Sequence, residues 1–116
     1  DLPLNARNFI NQYFSKPQIS YIKIDSEFLS KKYEVTLTDR TEIDFDKKGN
    51  WTEVDCKKGA VPAALIPASI KDYVKKNFPN EIITKIERKG TGIEVELAND
   101  FSLKFNKKGQ FVSMDD

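Results

Sequence analysis

Five carboxylates at strand-like spacing, Glu34, Glu42, Asp44, Glu94 and Glu96, are the side chains of this sequence with the most to offer chemically. Each alternates with apolar neighbours, so all five are expected on a sheet face opposite the core. Paired carboxylates can exchange protons with a substrate, and clustered ones can hold a cation. The plainer fate is a solvated sheet face on which Lys23, Lys85 and Lys104 supply cross-strand partners. The chain contains no histidine, which removes the commonest general base and the commonest metal ligand. No activated nucleophile stands out either. These residues point away from an enzyme, and no catalytic residue, metal ligand or cofactor is assigned.

Three smaller signals remain. Asp44-x-Asp46 followed by Gly49 has the beginnings of a calcium loop, which wants oxygen at positions one, three and five and glycine at six. Lys48 stands at position five and Lys104 opens the matching stretch with Asn106, so a hairpin is expected instead. Cys56, flanked by Asp55, Lys57 and Lys58, is the lone cysteine and has no histidine or second thiol to work with. Among the aromatics, Trp51 and Phe111 occupy matching positions and are expected in the core. Tyr21 has Lys85 as its counterpart, and its parity with Ile19 and Lys23 places it on the open sheet face.

Composition sets the outer limits. The 116 residues carry 19 Lys plus Arg against 18 Asp plus Glu, a net charge of +1. A dedicated nucleic-acid surface needs a strong basic excess, so nucleic acid is not an expected partner. No run of apolar residues approaches the ~18 a membrane-spanning helix requires. The chain opens Asp1-Leu2-Pro3-Leu4-Asn5, without Met or a basic leader, and is expected to be a processed or trimmed piece.

The elements that position these side chains are written twice. Leu2 to Phe14 matches Ile66 to Phe78 in hydrophobic pattern, 64 residues on. Tyr33 to Leu37 matches Ile93 to Leu97, and Ile43 to Trp51 matches Leu103 to Phe111, 60 residues on. The change of offset puts four extra residues in the first half, where Asp25 to Ser30 lie. Three matches in the same order are read as a duplication. Each half opens with a helix of about 12 residues, marginal alone in water and therefore docked. Its stripe is Ala6, Phe9, Ile10, Tyr13, Phe14 in one half and Ile70, Tyr73, Val74, Phe78 in the other. Pro3 and Pro67 fit the first helical turn, and Pro17 and Pro79 follow the stripe.

Four antiparallel strands are expected after each helix. The first runs around Ile19–Ile24 or Ile82–Glu87, and period-two alternation marks the next two through Val35 and Ile43, or Val95 and Leu103. Gly49 and Gly109 fall where the longer hairpins need positive φ. Residues 57–65, with Gly59 and Pro62, link the halves. The expected architecture is α+β: one domain, residues 1–116, made of two repeats, 1–64 and 65–116.

Two segments together resemble a known family. One is the Leu2-Pro3-x-x-Ala6-x-x-Phe9-Ile10-x-x-x-Phe14 helix and its partner Ile66 to Phe78. The other runs from Tyr33-Glu34-Val35 through Asp46-Lys47-Lys48-Gly49-Asn50-Trp51 to Val54, with the linker Val61-Pro62-Ala63-Ala64-Leu65. They resemble the PepSY-like periplasmic proteins, whose fold is similar to that of β-lactamase inhibitor protein. The resemblance covers essentially the whole chain. It implies two helices packed on one face of a continuous, curved antiparallel sheet, and export through a removed signal peptide to the periplasm or beyond. It also implies an inhibitor-like role. No inhibitory motif carries over residue by residue, because the open face here offers chiefly Tyr21 as an aromatic.

The expected function is therefore a non-enzymatic, secreted or periplasmic binding module. It would engage an envelope protein or peptide through Tyr21, Lys23, Glu34, Thr36, Glu42, Asp44, Glu94 and Glu96. The alternative is an envelope sensor or carrier of a small molecule or cation, with the sheet-face carboxylates as ligands. No membrane insertion is expected, and the chain is expected as a monomer or a weak edge-strand dimer.

Overall fold

The apolar stripe of the first helix needs a surface to cover, and Phe9 shows which one. Its ring meets Phe45 edge-on at 5.8 Å and lies 6.1 Å from Trp51. The computed structural model describes residues 2–27 and 30–116. Over them run α1 (Leu4–Tyr13), β1 (Ile19–Glu27), β2 (Ser30–Leu37), β3 (Glu42–Asp46) and β4 (Trp51–Asp55). A 3-10 turn (Ala63–Leu65), α2 (Ala68–Asn77), β5 (Ile83–Lys89), β6 (Gly92–Leu97), β7 (Ser102–Asn106) and β8 (Phe111–Asp115) follow. The eight strands lie in chain order in an antiparallel open sheet, and with two helices this is an α+β fold.

The chain divides into two compact units, Asp1–Val54 and Asp55–Asp116. In the first, Ala6 and Ile10 of α1 are buried with Tyr33, Val35 and Leu37 of β2 and Ile43 and Phe45 of β3. Those strand residues alternate with half-buried or exposed polar ones, so one face is core and the other is left uncovered by the helix. In the second, Ile70 and Val74 of α2 are buried with Ile86, Val95, Leu97, Leu103 and Phe105. Tyr73 meets Phe105 edge-on at 5.5 Å, as Phe9 meets Phe45.

The helix ends are built alike. Pro3 and Pro67 stand just before the first helical residue, in extended backbone, rather than inside the first turn. Their carbonyls accept from Arg7 N–H and Lys71 N–H, both at 3.1 Å. Phe14 and Phe78 close the helices, each donating its N–H four residues back, to Ile10 and Val74.

The turns explain the residues at their corners. Asp46 Oδ1 accepts from the N–H groups of Lys48 and Asn50, and Asn106 Oδ1 does the same for Lys108 and Gln110. Gly49 (φ +84°) and Gly109 (φ +80°) adopt the left-handed backbone these hairpins require. Arg40 and Asp100 take it in the shorter hairpins.

Two expectations need correcting. β1 continues past Ile24 to Glu27, and the extra residues lengthen the β1–β2 hairpin by the pairs Ser26–Lys31 and Glu27–Ser30. Trp51 is only half-buried and Phe111 is 39% exposed. Both stack on a helix aromatic instead of entering the core, and β8 ends the sheet with no further strand to cover its outer side.

Candidate functional site

Which side chains share the uncovered face is decided by a bulge. In β1 the register shifts between Ile19, opposite Leu37, and Tyr21, opposite Thr36. The extra residue, Ser20, puts Ile19 on the helix face with Leu37 and Tyr21 on the opposite face with Thr36. Parity alone had grouped Ile19 with Tyr21; the bulge separates them. β5 is built the same way, with Ile83 opposite Leu97 and Lys85 opposite Glu96. There the bulged Thr84 is buried, and its hydroxyl donates to the Glu96 carbonyl at 3.3 Å.

Beyond the bulge the register runs in two rows. Tyr21, Thr36 and Glu42 stand side by side across three strands, and so do Lys23, Glu34 and Asp44. These six line one small depression of about 70 Å³. Tyr21 is 59% exposed, so its ring and hydroxyl are available to a partner. Thr36, Glu34 and Asp44 are half-buried in the floor. Glu94 and Glu96 belong to the second unit, where they line a smaller depression of about 20 Å³ with Lys85 and Glu87.

Glu34 and Asp44 face each other directly, an arrangement that costs energy unless a cation intervenes. Lys32 supplies it, with Nζ 3.6 Å from Glu34 and 4.0 Å from Asp44. Asp44 above all, then Glu34 and Asp25, hold the Lys32 ammonium above the ordinary lysine range against the opposing effect of partial burial. In the second unit Lys89 does the same work, 2.9 Å from Glu94 and 3.9 Å from Glu87. Lys32 pairs in register with Asp25, and Lys89 with Gly92.

Lys32 and Lys89 were missed as partners of the carboxylates, although Lys32-x-Glu34 and Glu87-x-Lys89 carry the period-two signal of one strand face. Lys23 and Lys104 do stand opposite Glu34 and Glu94 in register. The Lys104 ammonium nevertheless reaches Asp115 at 3.9 Å.

The other chemical candidates are absorbed by structure. Asp46, the would-be third ligand position of a cation loop, has Oδ1 engaged by two backbone N–H groups. Among the described residues no three metal-type side chains are gathered for a cation. Cys56 is half-buried in the second unit, its N–H donating to the Thr84 carbonyl at 2.8 Å.

Residues 31–113 match a family model described as "Putative beta-lactamase-inhibitor-like, PepSY-like". No curated protein matches the chain. Among solved structures, a "putative periplasmic protein of unknown function" from Bacteroides vulgatus is 38% identical with a TM-score of 0.97, over 100% of this chain and 93% of that one. A "putative calcium-regulated periplasmic protein" from Bacteroides thetaiotaomicron is 45% identical with a TM-score of 0.96, over 100% of this chain and 91% of that one. Another "putative periplasmic protein" from Bacteroides vulgatus is 38% identical with a TM-score of 0.94, over 99% of this chain and 91% of that one.

Proposed function

This chain belongs to the PepSY-like family, and from that membership we propose that it is a non-enzymatic envelope protein that captures a protein or peptide on its open sheet face. The observation that carries the reading is the pair of rows Tyr21–Thr36–Glu42 and Lys23–Glu34–Asp44, which put one exposed aromatic beside charges of both signs in one depression. Exposed tyrosine among charged groups is the composition of a contact surface, since the ring contributes area and the charges contribute orientation. The second unit carries its own acidic pair, Glu94 and Glu96, in a separate depression. The periplasmic descriptions of its relatives support an envelope location, and the description of the family supports an inhibitor-like mode of binding. We read residues 1–64 and 65–116 as two copies of one ancestral unit within a single domain, a reading supported by matching helix caps, bulges and turn glycines.

Pull-down from an envelope extract tests it. The Y21A/E42K variant is expected to lose the partner that the unaltered chain captures, and Glu94→Lys to weaken it. Undiminished capture by both variants overturns the sheet-face reading.

The relative described as "putative calcium-regulated" favours a second reading, a cation or small-molecule sensor that uses the same carboxylates. A cation on Glu34 and Asp44 must displace the Lys32 ammonium, so binding should strengthen in Lys32→Met. Calorimetry with calcium on both proteins decides, and no heat in either removes this reading. Self-association, if it occurs, runs through β1, whose Ile22 and Ile24 stay exposed at the edge of the sheet. Sedimentation of Ile24→Lys against the unaltered chain measures it.

A further inference from the structure

The second unit has a groove that the sheet-face site does not use. It is an open groove between the linker, the C-terminal half of α2 and the start of β5, with about 270 Å³ of space, the volume of about nine liquid waters. Its wall is apolar: Val61, Ile66, Val74, Phe78, Ile82 and Ile83 all line it. Ile82 is 44% exposed although its own carbonyl is fixed by the Ala98 N–H at 3.0 Å. The linker wall is pinned as well, since Val61 N–H donates to the Ile83 carbonyl at 2.9 Å. The Phe78 ring is held edge-on against Phe101 at 6.0 Å. The groove is preformed.

Its polar rim is basic on balance. Lys71 and Lys75, one helical turn apart on α2, line it together with a single acid, Glu81. Neither lysine has an ion pair among the described residues. The fold does not demand most of these side chains, although Lys71 has a basic counterpart in Arg7. At the matching positions of the first unit, Ile82 is replaced by Gln18, Glu81 by Pro17 and Lys75 by Asn11. An apolar body with two ammonium groups at its mouth, neither in an ion pair among the described residues, matches an amphiphile with an anionic head.

We propose that this groove binds a free single-chain carboxylate amphiphile of the short fatty-acid class. The tail lies along Val61, Ile66 and Ile82, and the carboxylate sits between Lys71 and Lys75. The size allows a ligand of about ten heavy atoms, at roughly one water volume each.

The probe is octanoate, followed by amide chemical shifts of the whole chain. Saturable shifts are expected at Val61, Ile82, Ile83 and Ala98. Octylammonium at the same concentration is expected to leave them unmoved. The K71E/K75E variant changes two exposed side chains, so the fold should persist in its spectrum, and it should bind octanoate at least tenfold more weakly. Ile82→Ser should weaken it without altering the charge. The proposal is overturned by octylammonium shifts equal to those of octanoate, by undiminished binding in K71E/K75E, or by shifts scattered over both units. Sedimentation with phosphatidylglycerol vesicles without saturable octanoate shifts overturns it in favour of a lipid surface.

Discussion

Tyr73 of α2 and Phe111 of β8 stack with ring centroids 4.6 Å apart and planes 10° from parallel. This stack joins the last strand to the helix from the exposed side, and Phe111 also meets Phe105 at 5.9 Å. Truncating Phe111 to Ala removes a partly exposed ring and its stack, at a cost of about 2 kcal/mol. Urea unfolding followed by the fluorescence of Trp51, the one tryptophan, measures the shift.

Gly92 and Gly109 both have positive φ, but different neighbours. A methyl group on Gly92 is driven into the Phe105 carbonyl, backbone that cannot turn away. On Gly109 it meets the Ser69 hydroxyl, the end of a side chain that can rotate. Gly92→Ala should cost about 3 kcal/mol or more, and Gly109→Ala about 1–2 kcal/mol. Adding Ser69→Ala should recover part of the second loss and none of the first. Thermal melts of the unaltered chain, the two glycine variants and the two doubles provide the comparison.

Lys32 contributes through pH in a defined direction. Its folded pKa is raised, chiefly by Asp44, so its stabilisation is complete below the unfolded lysine value of ~10.4 and is lost as pH rises through the higher folded value. The side chain is half exposed, which limits the effect to roughly 0.5 kcal/mol. The stability difference between the unaltered chain and Lys32→Met should therefore shrink between pH 10 and 12. It should also shrink in 1 M salt at neutral pH, through screening. A difference that grows with pH contradicts this assignment.

The open-face residues should separate binding from stability. Tyr21 is mostly exposed at an edge strand, so Tyr21→Ser should change unfolding free energy by no more than about 0.5 kcal/mol. Loss of partner capture by a variant with an unchanged melting temperature would locate the contact on that face.

Much of the fold could be read locally. The i, i+3, i+4 stripes marked both helices, and period-two alternation marked the central strands together with the buried face of each, because both signals depend only on neighbours along the chain. The turn glycines at 49 and 109 followed from backbone geometry in the same way. The uncovered face was equally legible, and Glu34, Thr36, Glu42 and Asp44 stand where alternation placed them.

What alternation could not reach were the places where pairing over distance overrides it. The bulges at Ser20 and Thr84 reverse the parity of β1 and β5, so Ile19 and Tyr21 part company despite their spacing. Alternation sets Lys32 beside Glu34 and Lys89 beside Glu87, but only cross-strand register brings Asp44 and Glu94 within their reach, while Lys104 turns to Asp115. The linker reads as a featureless run of small residues and proline, yet its Val61 N–H bonds to β5 and it becomes a wall of an apolar groove. The residues alone determined which faces exist. Long-range hydrogen bonding decided which side chains meet on them, because a register or a docked loop depends on partners distant in the chain.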